Sequence, residues 1–183
     1  MERAAVGLFA ARGVDGVSIA DIAGAAGVSQ GALYRHYRGK GELAARLFSA
    51  AYRRAGAELD EIRKRERGFA VCIAAMIMHF CVLYDGDPAL FRFMLIAQHD
   101  LLPRTGNDGA TPVAAVAAAV AQAVVAGELG TIDVAAASAV IMGIILQTAI
   151  FHLYDRLAGP LAPRAPALAR AAIAAVAALA AGT

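Results

Sequence analysis

The chain has 183 residues, of which 60% are apolar and 17% charged, and its formal net charge is +2. This length can bury a core in one compact unit or two small ones, and it leaves no room for an appended catalytic domain. Much of the apolar content is alanine, and no stretch is a clean span of about twenty strongly apolar residues, so we expect no membrane helix. The nearest candidate, residues 138–154, carries Gln147 and His152 and is better explained as a buried or interface helix.

Positive charge is concentrated in the first third of the sequence. Residues 1–67 hold 12 Lys and Arg against 8 Asp and Glu (+4), whereas residues 68–183 hold 5 against 7 (−2). This asymmetry suits a protein that binds a polyanion with its N-terminal part, although a solvated basic face would give the same counts. The sequence begins at Met1 without a charged, apolar and cleavable succession, so we expect a cytoplasmic protein.

The two cysteines, Cys72 and Cys81, lie nine positions apart in an apolar segment and have no CxxC partner. We interpret them as buried thiols and expect no metal site. The four histidines have no HExxH-type spacing, and no nucleophile and base pair or carboxylate pair stands out. We therefore expect neither an enzyme nor a cofactor.

Three short helices are predicted at the N-terminus. Residues 1–12 form the first, which Gly13 ends. Ser18 and Asp21 have capping-box spacing, so a second helix begins at Ile19 and stops at Gly27. Ser29 caps a third helix predicted over residues 30–37, with Leu33 on its buried side and Val28 packing in the turn.

The third helix leaves an outward face suited to reading the major groove of DNA. Gly31 and Ala32 permit close approach, and Gln30 and Arg35 can bridge base edges. Aromatic hydroxyl groups can donate to phosphates, and Lys40 adds positive charge.

This region resembles the DNA-binding domain of the tetracycline-repressor (TetR) family. The matching positions are Ser18, Asp21, Ile22, Ala23, Ala26, Gly27, Val28, Ser29, Gly31, Leu33, Tyr34, His36, Tyr37, Lys40 and Leu43. The resemblance implies an all-α fold of about nine helices, with a helix-turn-helix DNA-binding domain at residues 1–45 and a ligand-binding and dimerisation domain at 46–183. It implies DNA contacts from Ser18, Ser29, Gln30, Gly31, Ala32, Tyr34, Arg35, His36, Tyr37 and Lys40.

Two positions depart from the family pattern. Gly39 stands where the family often has Ser, and Gly41 where it often has an acidic residue. We therefore expect a loosely capped fourth helix, which is predicted over residues 41–62 and links the two domains.

The remaining elements are also predicted to be helical. A buried helix covers residues 69–84, Asp87 and Pro88 start another that ends near 99, and residues 101–109 form a loop. Thr111 and Pro112 start a helix that reaches residue 125, and Asp133 caps one over 134–157. A proline-rich connector at 159–166 precedes a last helix over 167–181.

The central helices contain large, adaptable side chains that either pack a core or line an apolar pocket. The family resemblance implies an effector pocket, for an apolar or aromatic small molecule, built from Met76, Phe80, Phe91, Met94, Gln98, Ile144, Gln147 and Phe151. The helices at 134–157 and 167–181 are apolar beyond what one buried face requires, so we expect a homodimer.

These predictions indicate a DNA-binding transcriptional regulator. The first interpretation is a repressor that binds a palindromic double-stranded DNA operator and releases it when a small ligand binds. The alternative is a constitutive dimeric DNA-binding protein without a ligand.

Overall fold

The computed structural model describes residues 1–104 and 110–181, and in these ranges it is helical without a β-strand. The nine α-helices are α1 Glu2–Arg12, α2 Ile19–Ala26, α3 Gln30–Tyr34, α4 Lys40–Arg65, α5 Phe69–Gly86, α6 Pro88–Leu101, α7 Pro112–Val125, α8 Val134–Leu153 and α9 Ala165–Ala181. Single 3-10 turns lie at Leu102–Arg104 and Ala162–Arg164. The predicted all-α fold of about nine helices is confirmed. Most of the loop predicted over residues 101–109 lies outside the described residues.

The predicted capping residues Ser18, Ser29, Asp87, Thr111 and Asp133 begin five of the helices. The Ser18 hydroxyl group accepts from the Asp21 N–H at 3.1 Å, and the Asp87 carboxylate accepts from the Leu90 N–H. Thr111 caps α7 and Asp133 caps α8 in the same way. Each side chain satisfies a backbone N–H that has no partner within the first helical turn.

The ends of α3, α8 and α4 differ from the prediction by three or four residues, and each has a local cause. α3 stops at Tyr34 instead of residue 37, because the His36 N–H bonds to the Leu33 carbonyl in a tighter turn. α8 stops at Leu153 instead of 157, where Asp155 adopts a left-handed φ of 56°. α4 continues past residue 62 to Arg65, and Gly68 with φ 84° follows it.

The described chain forms two compact units, and the first joins distant segments of sequence. It contains Met1–Tyr52 and the later segment that carries α6. Its core includes the rings of Phe9 and Phe93, stacked with centroids 5.6 Å apart, and Phe48, whose ring meets Phe93 edge-on at 6.5 Å. Because α6 packs on α1, this unit contains α6 as well as the N-terminal helices. The domain boundary at residue 45 stays a prediction.

The second unit contains Arg53–Gly86 and the segment with α7, α8 and α9. α5 packs against α7 and α9, and α8 packs against the same two helices. The Glu128 carboxylate accepts from the Phe69 N–H at 2.7 Å and so caps α5. Cys72 and Cys81 are buried free thiols, as predicted, and burial raises the pKa of both, that of Cys81 to about 11. Both thiols are therefore protonated at neutral pH.

Three helical stretches of the described chain are long and apolar enough, by length and composition alone, to cross a membrane. They are Phe69–Gly86, Val134–Leu153 and Ala162–Ala180. This differs from the expectation that no stretch would qualify, because alanine, valine and isoleucine together raise the apolar content of each helix. In the structure each of these helices also packs one side against its own unit.

Candidate nucleic-acid interface

α2 and α3 meet in a tight helix-turn-helix. The Ser18 hydroxyl group and the Asp21 carboxylate form the predicted capping box at the start of α2. Gly27, with φ 65°, takes the left-handed conformation that ends α2, and the Val28 N–H closes the turn on the Ala23 carbonyl at 3.0 Å. The prediction that Val28 packs inward was wrong. Its side chain is 39% exposed, and Leu33 alone is fully buried beneath α3.

The predicted reading face lies on the surface of the first unit. Leu33 fixes α3 from below, and the neighbouring Tyr34 is 56% exposed. Ala32 is half-buried, and the other exposed positions are Gln30, Gly31, Arg35 and His36. The outward face thus combines small residues at its start with an amide, a hydroxyl group, an imidazole and a guanidinium group, which is a set able to contact base edges and phosphates.

Ser18 and Ser29 are exposed, and both hydroxyl groups act as helix caps. Ser29 accepts from the Ala32 N–H at 3.2 Å, which starts α3. Ser18 also bonds to the Asp21 carboxylate, and these hydrogen bonds, with a smaller contribution from Arg12, lower the pKa of Asp21. Both serines therefore set where helices begin, in addition to lying on the predicted DNA side.

Tyr37 is placed differently from the prediction. Its side chain is 7% exposed, and its hydroxyl group donates to Glu2 Oε1 at 3.0 Å. The Arg46 guanidinium group lies 5.4 Å from the centre of the ring. Burial, with the Glu2 hydrogen bond, raises the pKa of Tyr37. Tyr37 thus anchors the end of the α3 region to α1 within the protein.

Lys40 is also engaged within the protein. Its Nζ donates to the Asp15 carbonyl at 2.8 Å, which ties the start of α4 to the turn between α1 and α2. Arg38, two residues earlier, is exposed and was not among the predicted contacts. Its position just before the first turn of α4 is a signal that sequence reasoning could have used.

Glu42 makes a contact at the start of α4 that the expectation drawn from Gly39 and Gly41 did not include. Its carboxylate accepts from the Arg38 N–H at 2.7 Å and pairs with Arg46 at 2.9 Å. The backbone hydrogen bond from Arg38, with Arg46 beside it, lowers the pKa of Glu42. Glu42 thus ties the turn before α4 to the first turn of the helix.

The basic cluster at the end of α4 is neutralised by neighbours. Arg63 and Lys64 pair with Asp60, and Arg65 pairs with Glu66 at 2.9 Å. Hydrogen bonds to Glu61 and then Asp60 raise the pKa of Lys64. Because these charges are already paired with acidic neighbours, we do not assign this cluster to nucleic-acid binding.

The predicted effector residues fall into both units. Phe91, Met94 and Gln98 belong to the first, and Met76, Phe80, Ile144, Gln147 and Phe151 belong to the second. Met76 and Phe91 are buried, whereas Gln147 and Phe151 are exposed and line a surface groove at the junction of α8 and α9. Gln147 and Phe151 therefore lie away from the interior of the second unit, because they project from the outer side of α8. The effector site itself stays a prediction.

Among the described residues, no group of three His, Cys, Asp or Glu side chains is placed to hold a metal ion. Likewise, every fully buried side-chain polar atom in the described part of the chain has a hydrogen-bond partner.

Comparison with known proteins gives the same assignment for the N-terminal part. Residues 3–47 match the family of bacterial regulatory proteins described as the tetR family. The comparison with curated proteins found no match.

Solved structures share the fold of the whole chain. The fatty acid degradation regulator FadR from Bacillus halodurans is 16% identical, with a TM-score of 0.83 over 93% of this chain and 91% of that chain. FadR from Bacillus subtilis, solved in complex with stearoyl-CoA, is 21% identical, with a TM-score of 0.79 over 93% and 95%. PfmR from Thermus thermophilus is 19% identical, with a TM-score of 0.77 over 93% and 95%. Residues 3–47 therefore form a DNA-binding domain of the tetR family of bacterial regulatory proteins, and the chain has the fold of TetR family transcriptional regulators.

Proposed function

We propose that this protein is a cytoplasmic, homodimeric transcriptional repressor that binds a palindromic DNA operator through α3. The observation that carries the proposal is the two-sided character of α3. Leu33 is completely buried beneath it, while Gln30, Tyr34 and Arg35 are exposed. A helix fixed from below and polar on its outer face can enter the major groove without rearrangement.

In this proposal the base contacts and the phosphate contacts come from different residues. Gln30 and Arg35 read base edges, and Tyr34 and His36 contact the backbone. Arg38 takes the phosphate role that the sequence suggested for Lys40, because the Lys40 ammonium group already donates to Asp15. A homodimer presents two copies of α3, and a palindromic site would place them one DNA turn, about 34–36 Å, or a multiple of it, apart.

In this proposal the effector is a small apolar molecule. It binds more tightly to the form of the dimer in which the spacing of the two α3 helices does not match the operator. Such a ligand acts only through a difference in affinity between the two forms, typically about 5- to 150-fold. FadR from Bacillus subtilis was solved with stearoyl-CoA. A long-chain acyl thioester is therefore the first effector to test here, with free coenzyme A as its control.

The operator is found by selecting bound sequences from a random pool of double-stranded DNA and is then titrated in gel-shift assays over a salt series. We expect Arg35→Ala to lose about 1–3 kcal/mol of discrimination at one base position. Arg38→Ala should weaken all sequences alike and reduce the salt slope by about 1.

Arg67→Ala is the matched control, because Arg67 is an exposed arginine that lies outside the first unit. It should leave both the affinity and the salt slope unchanged. Unchanged operator affinity in Arg35→Ala and Arg38→Ala would refute the assignment of α3. If no acyl thioester and no other apolar compound weakens operator binding, the alternative of a constitutive DNA-binding protein is favoured.

A further inference from the structure

The turn between α3 and α4 carries one exposed arginine, Arg38. The His36 and Tyr37 N–H groups both bond to the Leu33 carbonyl, which keeps the chain coiled directly after α3. Tyr37 is then held inward by its bond to Glu2, whereas Arg38 is exposed. Within the described part of the chain, the Arg38 guanidinium group forms no hydrogen bond or ion pair. This cation is therefore available to a phosphate group close to the end of the reading helix.

The backbone of this turn is held by the Glu42 carboxylate. Its Oε2 accepts from the Arg38 N–H at 2.7 Å, and its Oε1 lies 2.9 Å from Arg46 Nη2. Gly39 has no side chain, and a Cβ added there would meet open space, so packing at that position does not hold the turn. Hydrogen bonds to an ionised carboxylate are among the stronger ones in proteins. Glu42 is thus the side chain that fixes the Arg38 backbone.

Glu42 is itself held in place from the other side. The Arg46 guanidinium group lies 5.4 Å from the centre of the Tyr37 ring, and the Tyr37 hydroxyl group donates to Glu2 on α1. These contacts form a continuous path from α1 through the ring and the guanidinium group to Glu42 and the Arg38 N–H. A side chain that is restrained by its own neighbours can hold its partner in one position.

We propose that Glu42 is a positioning residue for DNA binding, which holds the turn after α3 so that the Arg38 guanidinium group meets a phosphate. This inference rests on the proposed function, in which Arg38 makes that phosphate contact. It gives a favourable role to an acidic residue beside a polyanion. By charge alone Glu42 repels DNA, so its removal should strengthen binding. The two effects have opposite signs, and an experiment can separate them.

The comparison of Glu42→Ala with Glu42→Gln isolates the hydrogen bond. Both variants remove the same charge, but only glutamine keeps an acceptor oxygen for the Arg38 N–H. The full-length proteins are titrated in gel-shift assays over a salt series, with the operator selected from the random pool and with a scrambled duplex of the same length. Glu42→Gln should bind at least as tightly as the wild type, because it loses only the repulsion.

The expected magnitude follows from the salt dependence of one phosphate contact. Each contact contributes about 0.9 to the slope of log K against log salt, so Arg38→Ala should weaken both duplexes about 8-fold at roughly 0.1 M salt. We expect Glu42→Ala to bind both duplexes at least about 3-fold more weakly than Glu42→Gln, with a slope smaller by up to about 1.

A double-mutant cycle shows whether Glu42 acts through Arg38. In the Arg38→Ala background, alanine and glutamine at position 42 should give the same affinity. Glu61 supplies the matched control, because it lies on the same helix and pairs with Lys64 at 2.8 Å but belongs to the second unit. Glu61→Ala and Glu61→Gln should bind DNA equally well.

A second measurement does not involve DNA. Hydrogen exchange of the Arg38 amide, followed by NMR, should be slower in the wild type and in Glu42→Gln than in Glu42→Ala, because only the first two provide an acceptor. The Ala32 amide, which bonds to Ser29, is the internal control and should exchange alike in all three proteins. An Arg38 amide that exchanges equally fast in all three would overturn the inference.

The DNA titrations separate this inference from the proposed function. If Arg38→Ala leaves the affinity and the salt slope unchanged, the phosphate contact is wrong and this inference fails with it. If Arg38→Ala weakens binding while Glu42→Ala and Glu42→Gln bind equally well, the positioning role is wrong and the proposed function stands. A difference between the Glu42 variants that persists in the Arg38→Ala background would also overturn the positioning role.

Discussion

Asp85 links two parts of the second unit that are far apart in sequence. Its Oδ1 accepts from the Leu161 N–H at 2.9 Å and its Oδ2 from the Ala162 N–H at 2.8 Å. Leu161 is fully buried, so water has poor access to its N–H group once the carboxylate is removed. We expect Asp85→Ala to loosen the connector between α8 and α9 from the end of α5.

The cost can be estimated from the two hydrogen bonds. A hydrogen bond to a charged group contributes about 1.5–3 kcal/mol, and the upper values apply where a buried donor is left without a partner. Ala162 is half-buried, so water can partly replace its bond. The sum for Asp85→Ala is then about 3 kcal/mol, and Asp85→Asn, which keeps one acceptor oxygen, should lose about half of that. For a chain of this length, 3 kcal/mol corresponds to a Tm lower by about 6–12 °C.

Asp133 supplies the matched control for this experiment. Its carboxylate also accepts from two backbone N–H groups, those of Ala135 and Ala136, but both are exposed and belong to the helix that it caps. Asp133→Ala should therefore cost only about 1 kcal/mol, as loss of a helix cap does. Thermal unfolding followed by circular dichroism, at one protein concentration because a dimer is stabilised by mass action, measures both. An equal loss of Tm in the two variants would refute the reasoning.

Two further substitutions test other parts of the structure. Ser18→Ala should destabilise the first unit at neutral pH. Because Ser18 is the main cause of the lowered pKa of Asp21 in the folded state, the difference in stability between the variant and the wild type should shrink as the pH falls below about 4. Acid unfolding curves of both proteins measure this difference. Gly56→Ala would place a methyl group 2.5 Å from Thr111 Cα. The overpacking costs roughly 1–3 kcal/mol, which should exceed the gain of about 1 kcal/mol in helix propensity and lower Tm. Gly24→Ala would place its methyl group in open space and should raise Tm. A Gly56→Ala variant as stable as Gly24→Ala would show that the start of α7 yields to α4.

The parts of the fold that depend on local chemistry could be predicted from the sequence. Ser18, Asp87, Thr111 and Asp133 were recognised as helix caps because a short polar side chain before an apolar periodic segment reaches only the first turn of its own helix. The exposed face of α3 followed in the same way, since one buried residue, Leu33, determines which residues point outward.

Contacts between distant segments could not be predicted in this way. DNA contacts were predicted for Tyr37 and Lys40 because both match the TetR family pattern, with a hydroxyl group that can donate to phosphate and a positive charge. Their partners in the structure are Glu2 and the carbonyl of Asp15, 35 and 25 residues earlier. Helical periodicity indicates which side of a helix is buried, but it does not identify the group that lies opposite.

The apolar character of α8 caused a related difficulty. When a helix is apolar on every side, its sequence does not distinguish the side that faces its own unit from the side that faces a partner. The family resemblance grouped Gln147 and Phe151 with Met76 as effector residues, whereas the structure places them on the outer groove. The side of α8 that packs on its own unit buries Ile141, Ile145 and Ala149, and only the folded structure identifies that side.

The place of α6 shows how far the DNA-binding unit extends beyond its sequence motif. Its N-cap, Asp87, pairs with Arg3 at the start of α1, and the Arg92 guanidinium group donates to the Ala10 carbonyl near the end of the same helix at 2.9 Å. Between these two bonds, Phe93 stacks on Phe9 in the core. α1 is thus held at both ends and in the middle by a helix that follows it by more than 75 residues. Because α1 in turn receives the hydroxyl group of Tyr37 through Glu2, the orientation of α3 depends on packing from α6 as well as on the helix-turn-helix itself.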